Sequence, residues 1–445
     1  MTEIPRTPCV SDGGFRRLIP RSLLWAFVAA LGVRLAVGCF TFHGFMDPGR
    51  QHWEFGFEMG QIARSIVTGH GFGNPYRANT GPTATIPPLF PYLFAGVFAV
   101  FGVFTKSAAM TMIGLDSLFS SLTCIPIYFA AKRSFGPRQA VWAAWIWAFY
   151  PYSIYFAAGE MWDRCLGALL VTLVFLMALR LENSSGIGGW LGVGFVAGVA
   201  ALVNPVVLGV LPFLAGWACW RLHRQGKKWG VQAGAMALVI IVVISPWLIR
   251  NYRVFHQPVF LKDNFWLEFS IGNVGNTLHW WNGSIHPTNT AAEMEEYQTL
   301  GELDYMAEKR SEGLTYVEAH PGIFLWRSVR RFIYVWTGFW SLNREYLREE
   351  PLDPLNIFFC STFTFLALAG MRWAMRQAPQ TTWPYVLMLF LFPLVYYITH
   401  PEIEYRHPID PEIVILASCA IVSWLPGFRS ASPAARPEQL ASRRP

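Results

Sequence analysis

The sequence predicts an all-α polytopic membrane protein, a bundle of about 10–11 helices whose outer loops carry interfacial helices. Of its 445 residues, 53% are hydrophobic, and the mean hydropathy is +0.32. Apolar runs close to the roughly 20 residues that cross a bilayer recur along the chain. Short basic clusters lie between them, as the positive-inside rule requires. These clusters and the termini supply most of the net charge of +7, which therefore indicates membrane topology and not nucleic-acid binding.

The N-terminal half begins with a basic tail, residues 1–21, that we expect in the cytoplasm. An N-terminal membrane module follows at 22–253, with its first span at roughly 22–42. Further apolar segments lie at about 88–104, 108–131, 139–157, 163–182, 188–203, 205–220 and 230–249. The basic stretch Arg221–Lys228 must also face the cytoplasm, yet the segments before it give one span too many. One of them is therefore a half-span or a surface helix, either at the proline-rich start at 88 or in the pair that begins at 188.

The second half opens with an extracytoplasmic loop at 254–343. Within this loop, residues 324–343 are too basic for an ordinary span, and we interpret them as an interfacial helix. A C-terminal membrane module follows at 344–426, and the tail 427–445 is predicted to be disordered and cytoplasmic. The spans of this module are predicted at 355–373, 382–399 and 412–426.

The first outer loop, residues 43–87, carries a short amphipathic helix. On a helix over 54–66, one stripe is apolar and the adjacent one is polar, with Phe55, Met59, Ile62 and Ile66 on the first and Glu54, Glu58, Gln61 and Ser65 on the second. This pattern is typical of a helix that lies flat on a membrane surface with two carboxylates on its flank. The two acids can act on a membrane-bound substrate, or they can simply solvate the helix. The topology places the segment His400–Pro411 on the same outer side.

Four segments of the chain resemble the GT-C glycosyltransferases of the protein O-mannosyltransferase and aminoarabinose-transferase-like type, glycosyltransferase family 39. They are the acidic loop FGFEMGQIARSIVTGHGF, the re-entering segment TGPTATIPPLFPYLFAGVFAVFG, the exit PWLIRNY before the large outer loop, and the late element EYRHPIDP. Each segment is weak alone, but together they span most of the chain.

The resemblance implies a GT-C transmembrane bundle that transfers a sugar from a polyprenyl-phosphate donor to a lipid, glycan or protein acceptor. It implies one inverting displacement at the anomeric carbon, at the outer face of an inner (cytoplasmic) membrane. The alternative class is a transporter or flippase of lipid-linked sugars. The sequence favours the enzyme, because we find no repeat of the first half in the second and the acids concentrate in outer loops. A glycan polymerase or ligase is a third alternative.

The chemistry needs a base for the acceptor and cations for the departing phosphate. We assign the base to Glu58 first and Glu54 second, since the resemblance places an acid in the first outer loop. For the lipid phosphate we predict Arg406 with His407, then Arg250, Arg253 and Lys262. Further substrate-binding residues are predicted to be Tyr405, Glu404, Asp163 and Asn251. The arginines can instead be lipid anchors, and Arg406 can pair with Glu404.

Other polar residues leave two interpretations open. A divalent cation, Mg²⁺ or Mn²⁺, can gather Glu54, Glu58 and Asp163, although nothing in their spacing demands it. Asp163 lies with Glu160 and Arg164 in what is more simply a turn between two helices, and Asp116 lies inside an apolar helix. The outer-loop residues His279, Trp280, Trp281 and His286 either contact a sugar or pack the loop against the membrane.

Overall fold

The computed structural model describes residues 20–42, 55–159, 161–184, 186–275, 282–339, 341, 344–349 and 353–425. Within these ranges the chain folds into 21 α-helices and contains no β-strand. The predicted all-α class is therefore confirmed.

The N-terminal half contains eleven helices. They are α1 (Arg21–Thr41), α2 (Phe57–Val67), α3 (Leu89–Phe101), α4 (Lys106–Leu122), α5 (Cys124–Phe135), α6 (Pro137–Ala148), α7 (Pro151–Ala158), α8 (Arg164–Leu181), α9 (Ile187–Ala201), α10 (Val207–Arg224) and α11 (Gly230–Phe255).

The C-terminal half contains the remaining ten. They are α12 (Phe265–Asn273), α13 (Ala291–Leu300), α14 (Glu302–Ala319), α15 (Pro321–Thr337), α16 (Arg344–Glu349), α17 (Asp353–Gln377), α18 (Pro379–Leu391), α19 (Leu394–Ile398), α20 (Ile403–Arg406) and α21 (Asp410–Trp424).

Six helical stretches of the described chain are long and apolar enough to cross a membrane, which confirms a multi-pass membrane protein. They are Arg21–Thr41, Lys106–Phe135, Arg164–Leu181, Gly230–Phe255, Leu355–Gln377 and Pro379–Ile398. The apolar helices α3 and α9 are shorter. They begin close to residues 88 and 188, where the charge pattern predicts a half-span or a surface helix.

Proline divides one predicted span in two. The apolar run at 139–157 is not a single helix, because α6 ends at Ala148 and α7 begins at Pro151. Proline has no backbone N–H to donate to the preceding turn, but it is well suited to the first position of a new helix. The expectation of one continuous span here is wrong for that reason.

The last helix, α21, lies at the centre of the bundle. Its buried residues face every side, and they include the charged Asp410 and Glu412 near its start. It packs most closely against α17, where a Cβ at Gly370 would overlap the carbonyl oxygen of Leu416. The absence of a side chain at Gly370 is what lets the two helices approach so closely.

Candidate functional site

Acidic, basic and aromatic side chains from five distant segments meet at one place. These segments are the start of α2, the turn that opens α8, helix α12 with the residues preceding it, the connection between α12 and α13, and the chain from 400 to 405. We call the group the outer cluster; its members are Glu58, Asp163, Arg164, Lys262, Glu268, His286, His400, Glu404 and Tyr405.

Glu58 reaches the outer cluster because of the backbone at Gly56. Gly56 has φ +62°, a left-handed conformation that favours glycine, and it precedes the first turn of α2. A Cβ at Gly56 would overlap the carbonyl oxygen of Met161. The start of α2 is therefore packed against the backbone two residues before Asp163, and the charge of Glu404 acts on both Glu58 and Asp163.

The carboxyl of Glu58 is nearly buried, with 9% of the residue exposed. Burial raises its pKa to about 7, and the charges of Glu268 and Glu404 add to this effect. Glu58 is thus buried by protein, in contrast to the predicted helix that lies flat on a membrane surface with carboxylates on its flank. Gln61 and Ser65 are buried as well, so the polar stripe faces protein and not solvent.

His286 is a basic side chain that lies close to Glu58. Its Nε2 lies 3.9 Å from Oε1 of Glu58, and its ring packs edge-on against Tyr76. The backbone N–H of Thr288 donates to Nδ1 at 3.2 Å, so the proton of the neutral ring is on Nε2, facing the carboxylate. Burial lowers the pKa of His286 to about 4, which keeps the ring neutral.

Asp163 and Arg164 lie in the turn that opens α8, as the sequence favours. Burial raises the pKa of Asp163 to about 6, while the charges of Arg164 and Lys262 oppose that rise. Arg164 forms an ion pair with Glu404, and its guanidinium lies 4.8 Å from the ring of Trp162. Glu404 is therefore paired with Arg164 and not with the predicted Arg406.

Glu268 and His400 form a pair that sequence reasoning missed. Nε2 of His400 lies 2.6 Å from Oε2 of Glu268, and Asn264 donates to the other carboxylate oxygen at 2.9 Å. Burial alone raises the pKa of Glu268, but the hydrogen bond and charge of His400 outweigh it, and the net pKa is lowered. The available signal was one acid within the apolar run FWLEFSIGN.

Two further predicted residues border this pair. Tyr405 stacks on Tyr396 with ring centroids 4.7 Å apart, and its ring lies 5.4 Å from that of His400. Lys262 is exposed at the edge of the site, where its charge acts on both Asp163 and Glu268. The structure thus brings together Glu58, Asp163, Lys262, Glu404 and Tyr405 of the predicted set.

Arg406 and His407 lie elsewhere, inside the helical bundle. Arg406 donates to Asp410 at 3.0 Å and to the hydroxyl of Tyr150 at 3.1 Å, and it is 1% exposed. His407 is 3.2 Å from Asp410 and stacks on Trp147. The guanidinium predicted as a phosphate clamp at the outer interface is instead buried and satisfied by the protein, because the start of α21 is central.

Arg250 and Asn251 fasten the first outer loop. Arg250 donates to the carbonyl oxygens of Phe72 at 2.6 Å and Thr83 at 2.7 Å, and to Asn251 at 3.0 Å. Asn251 is buried against the backbone of Val259. The side chains of Arg250 and Asn251 thus form hydrogen bonds within the protein. Arg253, at the end of α11, is exposed.

The remaining predictions concern residues other than the members of the outer cluster. Glu54, Glu160, His279, Trp280 and Trp281 lie outside the described residues. Asp116 is buried in α4, and neither carboxylate oxygen has a hydrogen-bond partner there.

Among the described residues, no group of three or more His, Cys, Asp or Glu side chains is arranged to hold a metal ion. The divalent cation stays a prediction.

A protein-family model matches part of the chain. The family model described as dolichyl-phosphate-mannose-protein mannosyltransferase matches residues 85–249, which include Asp163 and Arg164. No curated protein sequence matches the chain.

Comparison with solved structures gives matches over nearly the whole chain. The apo oligosaccharyltransferase of Archaeoglobus fulgidus aligns with 89% of this chain and 50% of its own at 14% identity, with a TM-score of 0.53. AglB of Archaeoglobus fulgidus, in complex with an inhibitory peptide and a dolichol-phosphate, covers 91% and 50% at 13% identity, with a TM-score of 0.52. ArnT of Cupriavidus metallidurans bound to undecaprenyl phosphate covers 91% of this chain and 78% of its own at 14% identity, with a TM-score of 0.38.

These findings confirm the resemblance to the GT-C class and the GT-C-type membrane fold. The chain spans about half the length of the oligosaccharyltransferases that it matches. At such low identity, the structural likeness shows the fold alone. The function depends on the residues of the outer cluster.

Proposed function

We propose that this GT-C chain is a membrane glycosyltransferase that takes a sugar from a polyprenyl-phosphate donor and transfers it to an acceptor at the extracytoplasmic face. The fold supports the class of enzyme. The observation that carries the proposal is the environment of Glu58, a nearly buried carboxyl whose pKa lies at about 7 beside two further carboxylates. A base with a pKa near the working pH is the group that this transfer needs.

In this mechanism Glu58 acts as the general base. It accepts the proton of the acceptor hydroxyl or amine as that group attacks the anomeric carbon of the donor sugar. The bond between the anomeric carbon and the phosphate oxygen breaks on the opposite face, and its electron pair leaves with the polyprenyl phosphate. The sugar is thus transferred with inversion, and the proton remains on Glu58 until solvent removes it.

The departing phosphate needs positive charge. Lys262, exposed at the edge of the outer cluster, is placed to supply it. Arg164 is close by but already forms an ion pair with Glu404, so its charge is partly compensated. His400 is buried and its Nε2 lies 2.6 Å from Glu268, a contact that fixes the orientation of the ring.

The orientation of the site follows from charge. The basic segment Arg221–Lys228 and the arginines at the end of α17 belong on the cytoplasmic side by the positive-inside rule. The segments that form the outer cluster then face the opposite side. We therefore place the protein in an inner (cytoplasmic) membrane, with its active site toward the periplasm or the outside.

The test is sugar transfer in reconstituted membranes, measured with radiolabelled polyprenyl-phosphate sugars for wild type and Glu58→Gln. We expect Glu58→Gln to lose about 100- to 10,000-fold in rate, the range for a general base. Glu295→Gln is the matched control, because Glu295 is an exposed acid on α13 outside the outer cluster. Equal rates for wild type and Glu58→Gln would exclude Glu58 as the base.

The flippase alternative is decided in the same preparation. If no donor of a broad panel is consumed, and lipid-linked sugar instead moves between leaflets only when the protein is present, the enzyme proposal is wrong. A divalent cation is tested by adding a chelator and then restoring Mg²⁺ or Mn²⁺. Recovery of the rate on restoration is the result that would assign a metal to the reaction.

A further inference from the structure

Helix α15 exposes apolar side chains and buries an arginine, which is the reverse of the pattern in a surface helix of a soluble protein. Its large apolar side chains Leu325, Trp326 and Val329 are exposed, whereas Arg331 is buried with 3% exposure. The apolar face fits a lipid environment, and the arginine points into the protein. A buried guanidinium in such a helix is costly unless its donors are satisfied, so its partners indicate its role.

The guanidinium of Arg331 joins two separate chain segments. It donates to the carbonyl of Gly272, to Oδ1 of Asn273 at 3.1 Å, and to the carbonyl oxygen of Ile398 at 3.2 Å. The first two partners end α12, and the third ends α19. Asn273 reinforces the joint, since its side-chain amide donates to the carbonyl oxygen of Ile398 at 2.9 Å.

The two segments touch backbone to backbone at the same point. A Cβ at Gly272 would overlap the carbonyl oxygen of Thr399 and would lie 3.4 Å from Nη2 of Arg331. Contact this close leaves room for glycine only. The joint therefore fixes the distance between the end of α12 and the residue that precedes His400.

The segments that meet at this joint lead to the two residues of the Glu268–His400 pair. Glu268 lies one turn before Gly272 on α12, and His400 directly follows Thr399. Small movements at the joint are thus transmitted to the hydrogen bond of 2.6 Å between Glu268 and His400. A misplacement of about 1 Å in a catalytic geometry costs up to about 100-fold in rate.

We propose that Arg331 is a positioning residue, which holds the end of α12 against the end of α19 and thereby sets the Glu268–His400 pair in the outer cluster. The kinetic part of this inference rests on the proposed glycosyltransferase function. The positional part does not, because the geometry of His400 has a readout of its own.

The first experiment measures how fast diethyl pyrocarbonate modifies His400, with peptide mass spectrometry on the full chain in membranes. His70 is exposed and serves as the reference for reagent activity, and the buried His407 reports any general loosening. We expect Arg331→Gln to raise the rate at His400 about tenfold, with the rate at His407 unchanged. Arg331→Lys, which keeps the charge but has fewer donors, should lie between Arg331→Gln and wild type.

Arg330→Gln is the matched control on the same helix. Arg330 donates to the hydroxyl of Tyr334 at 2.8 Å, within α15 itself. We expect its modification rates to equal those of wild type. Unchanged protection of His400 in both Arg331 variants would overturn the proposal, as would an equal rise at His400 and His407, which indicates general unfolding.

The second experiment is a double-mutant cycle in the transfer assay. We expect Arg331→Gln and Glu268→Gln each to lower kcat about 10- to 100-fold with little change in KM, and the double variant to match Glu268→Gln alone. Multiplying losses would mean that Arg331 acts independently of the pair and would overturn its positioning role. If wild type transfers no sugar, the proposed function fails, while the modification of His400 still decides the role of Arg331.

Discussion

The carboxylate of Glu268 lies 2.6 Å from Nε2 of His400, although 132 positions separate the two residues in the chain. This contact ties the large outer loop to the segment before α21, and Glu58 of the first outer loop approaches the same place. Three stretches that alternate with membrane helices therefore build one site.

The first prediction concerns the pH dependence of transfer. Because burial raises the pKa of Glu58 to about 7, the base is half protonated at neutral pH. We expect kcat/KM to rise with pH and to level off above about 7. The measurement is initial rate against pH at low donor concentration. A flat profile across this range would show that another group limits the reaction.

The same carboxyl predicts a change in stability. Its pKa is higher in the folded protein than its ordinary value of 4.5, so the folded state holds this proton more tightly than the unfolded chain. Wild type must lose stability as the pH rises from about 4.5 through about 7. Glu58→Gln carries no such proton and should have the higher Tm at about pH 8, but not at about pH 5. Identical differences in Tm at both pH values would contradict the raised pKa.

The carboxyl group of Asp263 should also make the stability of the protein depend on pH. Burial and the neighbouring Glu302 raise the pKa of Asp263 well above 3.8. Glu302 accepts from the hydroxyls of Thr83 and Tyr297, so it fastens the first outer loop to α13 and α14. The stability that protonated Asp263 contributes is lost as the pH rises through its raised pKa. Asp263→Asn keeps a donor, and its Tm should fall less than that of wild type between about pH 5 and about pH 9.

Arg406 should be needed for folding and not for donor affinity. Its partner Asp410 is fully buried, so Arg406→Met leaves a charge without its cation. Losing one member of such a pair costs about 3–5 kcal/mol. We expect a lower Tm and a lower yield of folded protein, with the KM for donor unchanged in what remains. Normal stability together with a raised KM would instead restore Arg406 as a phosphate ligand.

The contact between α17 and α21 gives a test of packing. A Cβ at Gly370 overlaps the carbonyl oxygen of Leu416, whereas a Cβ at Gly32 in α1 meets no atom within 4 Å. We expect Gly370→Ala to destabilise by about 1–3 kcal/mol or more, and Gly32→Ala to be neutral or slightly stabilising. Thermal unfolding in detergent compares the two. Equal Tm values would mean that the central helix adapts without cost.

The site was only partly predictable from the sequence. Glu58, Asp163, Lys262, Glu404 and Tyr405 were predicted, because acids in outer loops and a resemblance to one family identify such residues. Their contacts were not, since periodicity alone shows an amphipathic helix but not what covers its polar stripe. The polar face of α2 proved to be buried by protein.

Arg406 and Glu268 both show that a local sequence pattern does not predict whether a side chain is buried or paired. Arg406 opens a segment that the charge pattern places at the outer surface, yet the central position of α21 buries its guanidinium. Glu268 is one acid in an apolar run, and its importance appears only through His400. Burial and pairing depend on neighbours far away in sequence, which local patterns do not contain.

By itself, the sequence determined the membrane class and the helical secondary structure, and it predicts the outer side for the acidic segments. Those properties follow from local hydrophobicity and the distribution of basic residues, because each segment enters the bilayer according to its own composition and flanking charges. Only the tertiary structure decided which charges meet. It packed the start of α2 against the turn before α8 at Gly56, paired Glu268 with His400 next to the contacts of Arg331, and buried Arg406 in the bundle. Each of these depends on the close packing of segments that are far apart in the chain.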